Sequence, residues 1–465
     1  MSDWLTLLPA LVALVVVLWK KEVIVALLLA LVCAELLLLL QNGSSASTAI
    51  AMSGIQSLEA LINVMTDAGN ARLLLFSLLV GILMAYMRYS GGVNALVNKL
   101  VSRGVAKNAR QTRLLSFTTG VVIFIESNLS VLTAGILSRG LFDKFKLSRA
   151  ELAYIIDSTS APICILILLN GWGAYILGLL SSYQLPANPV TILLQTIPLN
   201  LYPLLTLALV LFTIITGRHY GPMRLANQRL QISPELTPTE SDTTVGKVRY
   251  MLLPLLTMVL SMVGFMYWTG QGDLTAGSGS KSVLYATALA CIVAYLLLIL
   301  DKKFSHQQLV DIGYKGMSEL LGLVTILLLA IALGASMKSL GTGSFIASLL
   351  AQSIPLMLLP AMLFLAGALI SFTTGTSWGT FALLIPIGMP LVVELQLPPA
   401  LLLAAILGGG IFGDHCSPIS DTTAVSSVAA GCDLLEHVRT QLPYALFCAA
   451  LSLVGYLLLG FWMIG

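Results

Sequence analysis

The chain has 465 residues, of which 10% are charged and 57% apolar, and its mean hydropathy is +0.94. A water-soluble globule of this size does not carry that balance, so lipid is its solvent. The net charge of +3 traces to loop lysines and arginines and gives no reason to expect a nucleic-acid partner.

The first apolar run, residues 5–19, lacks a basic leader and a small-residue cleavage site, so it reads as a retained helix. Lys20 and Lys21 follow it, then a second run at 23–40, whereas residues 41–71 hold no Lys or Arg and carry Glu59 and Asp67. Basic loops stay in the cytoplasm, which places the first loop inside and the second outside. After a span at 72–87 come Arg88, Lys99, Arg103, Lys107, Arg110 and Arg113, then Arg139, Lys144, Lys146 and Arg149. The 25 residues between Arg113 and Arg139 are too few for two crossings, which need roughly 40 residues of helix, but suffice for a re-entrant hairpin.

Residues 150–216 contain no Lys or Arg, which fits a span at 150–169, an outside turn at 181–188 and a span at 190–216. The polar segment 217–249 holds five basic residues and reads as a cytoplasmic linker. Three more spans follow near 250–268, 283–300 and 317–336. All six cysteines lie in or beside predicted spans, which argues against a disulfide framework.

Ser-Phe-Thr-Thr-Gly occurs at 116–120 and again at 371–375. Met87-Arg88 with Gly91 matches Met337-Lys338 with Gly341, Ala161-Pro162 matches Ser417-Pro418, and Pro198 matches Pro443, all in the same order. These correspondences define a duplicated unit of about 145 residues. The expected organisation is two N-terminal spans at 1–71 and repeat unit one at 72–216, with its hairpin near 114–141 and a broken helix near 150–170. The linker and connecting spans occupy 217–321, and unit two occupies 322–465, with its hairpin near 360–391 and a broken helix near 400–430. The span count makes the second unit start inside, so the repeats are inverted, as in alternating-access transporters. The expected fold is thus an all-α polytopic membrane protein: an inverted-repeat transporter with about ten full spans, two re-entrant hairpins and two broken helices.

The polar stretch 408–423 interrupts one span, with glycines at 408–410 and 413, Pro418, and the carboxylates Asp414 and Asp421 beside Ser417 and Thr422. A continuous helix through it is not expected, because glycine and proline weaken it and polar groups would face hydrocarbon. The equivalent break in unit one is expected at Asp157-Ser158-Thr159-Ser160-Ala161-Pro162. Freed carbonyls, hydroxyls and carboxylates are hard oxygen ligands that suit sodium. Intramembrane acids are costly and functional by default, the competing role being to cap the end of a broken helix. Opposite the breaks the hairpin tips bring Glu126 and Asn128 in unit one and Thr374, Thr376, Ser377 and Trp378 in unit two. His415 either titrates or hydrogen-bonds a freed carbonyl. Ser148 to Glu151 reads as a helix capping box.

The stretches 413–423, 374–380 and 153–162 resemble the NhaC-type sodium/proton antiporters of the ion-transporter superfamily. The resemblance implies a multi-pass protein of the bacterial inner membrane that couples sodium to proton movement; some relatives carry malate, lactate or methionine instead. One departure stands out: where relatives have two adjacent aspartates and an aromatic residue in the first hairpin, this chain has Glu126-Ser127-Asn128. The expected activity is Na+/H+ antiport by alternating access, with sodium-coupled transport of a small organic solute as the alternative. An enzyme is not expected, and no cofactor beyond Na+ as coupling ion. The Na+ and H+ site is expected around Asp157, Asp414 and Asp421, with Trp378 and Asn128 as solute contacts in the alternative. Membrane lipid surrounds the chain, both termini lie outside, and residues 201–216 are a candidate homodimer face.

Overall fold

The structure, a computed structural model, describes residues 3–20, 22–92, 95, 107–124, 127–167, 170–228, 246–272 and 277–465. Glu126 and most of the expected linker lie outside the described residues. Every regular element among the described residues is helical, and ten helices are long and apolar enough to cross a membrane. The membership of that set differs from expectation. The first helix, α1 (Leu8–Lys20), has only 13 residues, while both legs of the second hairpin qualify by length.

Helix α2 (Val23–Gln41) buries Val23, Ala26, Leu27, Ala30, Leu31 and Ala34, the three-and-four spacing of a helix face, and also buries Glu35. The stretch expected outside then forms an unforeseen helix, α3 (Ala46–Thr66), started by the Ser45 side chain accepting from Thr48 N. Its small face, Ala49, Ser53 and Ser57 with Val64, is buried, and α3 packs on α2, on α4 (Ala68–Tyr89) and on a long later helix.

Unit one continues with α5 (Ala109–Val122), α6 (Ser127–Lys144), α7 (Arg149–Leu166), α8 (Gly171–Ser181), α9 (Pro189–Thr196) and α10 (Leu201–Thr216). After the short α11 (Gly221–Gln228) come the connecting spans α12 (Arg249–Thr269) and α13 (Gly279–Leu300). Unit two runs α14 (His306–Ser339), α15 (Thr342–Ser353), α16 (Leu359–Thr374), α17 (Ser377–Glu394), α18 (Pro399–Cys416), α19 (Asp421–Ala430) and α20 (Leu434–Met463). The parallel is close: a span ending just before a left-handed glycine (Gly91, Gly341), a hairpin, a two-part helix and a closing span.

Both breaks fall later than the sequence suggested. Helix α7 runs straight through Asp157 to Pro162 and stops at Leu166; α8 resumes at Gly171, bent by 49°. Helix α18 likewise passes unbroken through its glycines, Asp414 and His415, and the chain opens only at Ser417 to Ser420. The glycines serve close approach. A Cβ on Gly409 would overlap the carbonyl oxygen of Phe364, and one on Gly413 would overlap that of Ala368, so α16 and α18 pack backbone to backbone.

The units also lock into each other. Arg139 of α6 donates to the carbonyls of Val428 (2.5 Å) and Ala429 (2.9 Å), and Arg149 donates to Ala430 (2.8 Å), so unit-one arginines cap the C-terminus of α19. Glu151 departs from the capping-box expectation. Ser148 accepts from its backbone N–H, but its carboxylate reaches Arg113 at 2.5 Å and His219 at 3.0 Å.

Candidate transport site

The two-part helices and hairpin tips meet in one buried polar cluster. In unit two, Asp414 sits at the C-terminal end of α18, only 2% exposed. Its Oδ2 accepts from Ser377 Oγ (2.8 Å) and Ser377 N (3.4 Å) at the start of α17, and its Oδ1 accepts from Ser420 Oγ (2.6 Å). Ser420 is also the N-cap of α19. One carboxylate thus holds the hairpin tip and the second half-helix together. Ser417 Oγ adds a bond to the carbonyl of Phe372 (2.7 Å), tying the break to the other hairpin leg.

In unit one, Asn170 plays the knitting role. Its side chain donates to the carbonyls of Phe124 (2.9 Å) and Cys164 (2.8 Å) and accepts from Trp172 N (2.9 Å) at the start of α8. Both second half-helices therefore begin at the cluster, presenting the partial positive charge of their N-termini, while the C-termini of α7 and α18 present the opposite sign.

Asp157 is 1% exposed and is met from three helices. Its Oδ2 accepts from Gln441 Nε2 (2.7 Å) and lies 3.2 Å from His437 Nε2, both on α20, and 3.8 Å from His415 Nε2. Its Oδ1 accepts from Ser426 Oγ of α19 (3.0 Å). His415 in turn contacts Ser158 Oγ through Nε2 (3.1 Å) and the Tyr202 hydroxyl through Nδ1 (2.6 Å). A proton donated by Tyr202 makes Nε2–H the donor to Ser158. Gln441 Nε2 also donates to the His415 carbonyl at 2.6 Å, whereas the imidazole itself meets hydroxyls and the Asp157 carboxylate rather than the freed carbonyl that one of its two expected roles required. Among the described residues, no Lys or Arg pairs with Asp157 or Asp414.

The remaining expected residues divide. Asp421 is exposed, its Oδ1 accepts from Thr422 N (2.8 Å), and Asn128 of the first hairpin hydrogen-bonds its carboxylate. Thr422 Oγ1 lies 3.0 Å from Ser420 Oγ. Thr159 and Thr374 donate their hydroxyls to the carbonyls of Ile155 (2.7 Å) and Ile370 (2.8 Å) in their own helices, and Thr376 caps α17. Trp378 packs at a tilt on Trp172 (centroids 4.4 Å) and edge-to-face on Tyr175 (5.0 Å), joining hairpin two to α8.

Sequence reasoning missed His437, Gln441, Ser426 and Tyr202. A signal existed for two of them: His437 and Gln441 lie four apart, on one face of the polar first turns of a long, mainly apolar helix. Both carry a buried polar atom, His437 Nδ1 and Gln441 Oε1, with no hydrogen-bond partner, so donor and acceptor capacity beside Asp157 remains for a small ligand.

Ten apolar helices, two half-helix pairs and a buried acidic cluster where they meet define a membrane transporter. A family model described as the Na+/H+ antiporter family matches residues 163–461, and the chain belongs to that family. It is 35% identical over 415 residues to an uncharacterised protein of Haemophilus influenzae, covering 84% of this chain and 79% of that one. A shorter similarity, 31% over 171 residues and 36% of each chain, is to a malate-2H+/Na+-lactate antiporter of Bacillus subtilis. Among solved structures, the Alcanivorax borkumensis YdaH transporter superposes with a TM-score of 0.58, covering 89% of this chain and 90% of that one at 16% identity, which is a likeness of fold.

Proposed function

We propose that this protein exchanges Na+ for H+ across a bacterial plasma membrane by alternating access, with the inverted units rocking about the shared cluster and both termini outside. The observation that carries the proposal is Asp414. It is a buried carboxylate with no cationic partner among the described residues, held between a hairpin tip and a helix break by Ser377 and Ser420. One carboxylate with hydroxyls and the carbonyls of a helix C-terminus suits a dehydrated monovalent cation. The same oxygens take a proton when the ion leaves, so either occupant neutralises the site, and competition between them is the exchange. Asp157, with His415 and His437, supplies a second proton-holding group within the same cluster.

In proteoliposomes with an internal pH dye, an imposed Na+ gradient should move protons in the opposite direction, and half-saturating Na+ should rise as pH falls. Sodium movement without any proton flux, in the absence of added solute, would overturn the exchange. A second use of the site is sodium-coupled transport of a small organic acid or amino acid. It is favoured by the aromatic group Trp172, Tyr175 and Trp378 beside the N-terminus of α8, whose partial positive charge would attract a solute carboxylate. Adding candidate carboxylic and amino acids to the same vesicles separates the two.

A further inference from the structure

Glu35 belongs to neither repeat and lies in the middle of the apolar helix α2. It is 6% exposed, and its Oε1 accepts from Ser336 Oγ of α14 at 2.6 Å. No other hydrogen bond or ion pair to it is present among the described residues. It lines a cleft of about 450 Å³ together with Asp67, Asn63, Asn70, Ser182 and Ser336. Ser182 Oγ is buried there without a hydrogen-bond partner. The cleft also collects helix ends: α3 finishes at Thr66, α8 at Ser181 and α14 at Ser339, so three C-termini turn their partial negative charge toward it, against one N-terminus, that of α4, which Asp67 caps. Lys338 and Arg72, the nearest cations in sequence, pair with neither Glu35 nor Asp67.

We propose that this cleft is a second cation site, an outer vestibule in which Glu35 binds Na+ with Ser182 and Ser336 before the ion reaches the transport cluster. Half of the lining residues, among them Asn63, Asp67, Asn70 and Ser182, come from the two stretches, 41–71 and 181–188, that hold no Lys or Arg, and the rest come from α2 and the end of α14; the loops free of basic residues put the opening on the outside. Helix α8 links the two sites structurally. Its C-terminal Ser181 lines the cleft, and near its N-terminus Trp172 packs on Trp378 at the second hairpin tip. A buried carboxylate with one free oxygen, next to an unbonded hydroxyl and three helix C-termini, is a donor set for a monovalent cation. The sodium identity rests on the proposed function; the cation-binding character of the cleft does not.

The test is equilibrium binding of sodium-22 to the purified full-length protein. Glu35→Gln is expected to bind one ion per chain fewer than wild type, and Asp414→Asn to lose a different one, with the double variant losing both. Asp67→Asn keeps the α4 cap and should raise half-saturation at the vestibule about threefold, the effect of one screened surface charge. Should Glu35→Gln fold poorly, Asp67→Asn and Ser182→Ala carry the test, and unchanged isotherms for both overturn the vestibule. A Glu35→Gln isotherm that superimposes on wild type does the same. Loss with Glu35→Gln but none with Asp414→Asn would keep the vestibule and defeat the central site instead.

Discussion

Replacing Asp414 by Asn tests the central claim with little change of shape. The carboxylate accepts three hydrogen bonds, from Ser377 Oγ, Ser377 N and Ser420 Oγ. An amide keeps one good acceptor and turns an NH2 group toward the other hydroxyl, which then needs to rotate or stay unpaired. That leaves one or two buried donors poorly satisfied, a loss of about 1–3 kcal/mol in stability, which a folded protein with a lower Tm survives. The ion loses far more. Removing one partner from a buried charge pair costs about 3–5 kcal/mol, and each 1.4 kcal/mol is tenfold, so half-saturating Na+ should rise at least about 100-fold. Sodium-22 uptake into proteoliposomes over a wide range of external Na+ measures this directly, with thermal unfolding as the control. A monodisperse Asp414→Asn protein whose half-saturation stays within about threefold of wild type would refute the assignment of sodium to this carboxylate.

Gln441→Ala should slow exchange at least tenfold, about 1.4 kcal/mol, because Asp157 and the His415 carbonyl share its one donor group; pH-dye traces of proton flux follow it. Gly409→Ala should destabilise the fold by about 3 kcal/mol or more, since its Cβ meets backbone rather than a yielding side chain, and thermal unfolding in detergent reads the loss. Outside the spans, the Tyr250 hydroxyl and then the Arg249 guanidinium hold Asp301 at about 2, below its ordinary 3.8. Its contribution is therefore complete above pH 4 and fades as pH falls toward 2. The stability difference between wild type and Asp301→Asn should be constant from pH 7 to pH 5, shrink below pH 4 and be reduced by salt.

Much of this protein could be read locally. Spans follow from runs of apolar residues and the repeat from Ser-Phe-Thr-Thr-Gly and its companions, because each depends on neighbours in the chain or on the bilayer. The sites of disruption were visible as polar, proline-containing stretches, but their exact position was not. A proline removes one helical hydrogen bond, and whether the helix stops there depends on what satisfies the freed carbonyls; at Pro162 it continues for another turn, and at Pro418 the chain stays open. The glycines at 408–410 and 413 misled for the same reason: their weakness as helix formers is local, whereas the close packing of α16 that rewards them is tertiary. Only the assembled units could bring His437 and Gln441, some 280 residues away in sequence, onto Asp157, or seat Ser377 on Asp414. Residue types betray which groups are costly in lipid, but their partners are chosen by how the two halves pack.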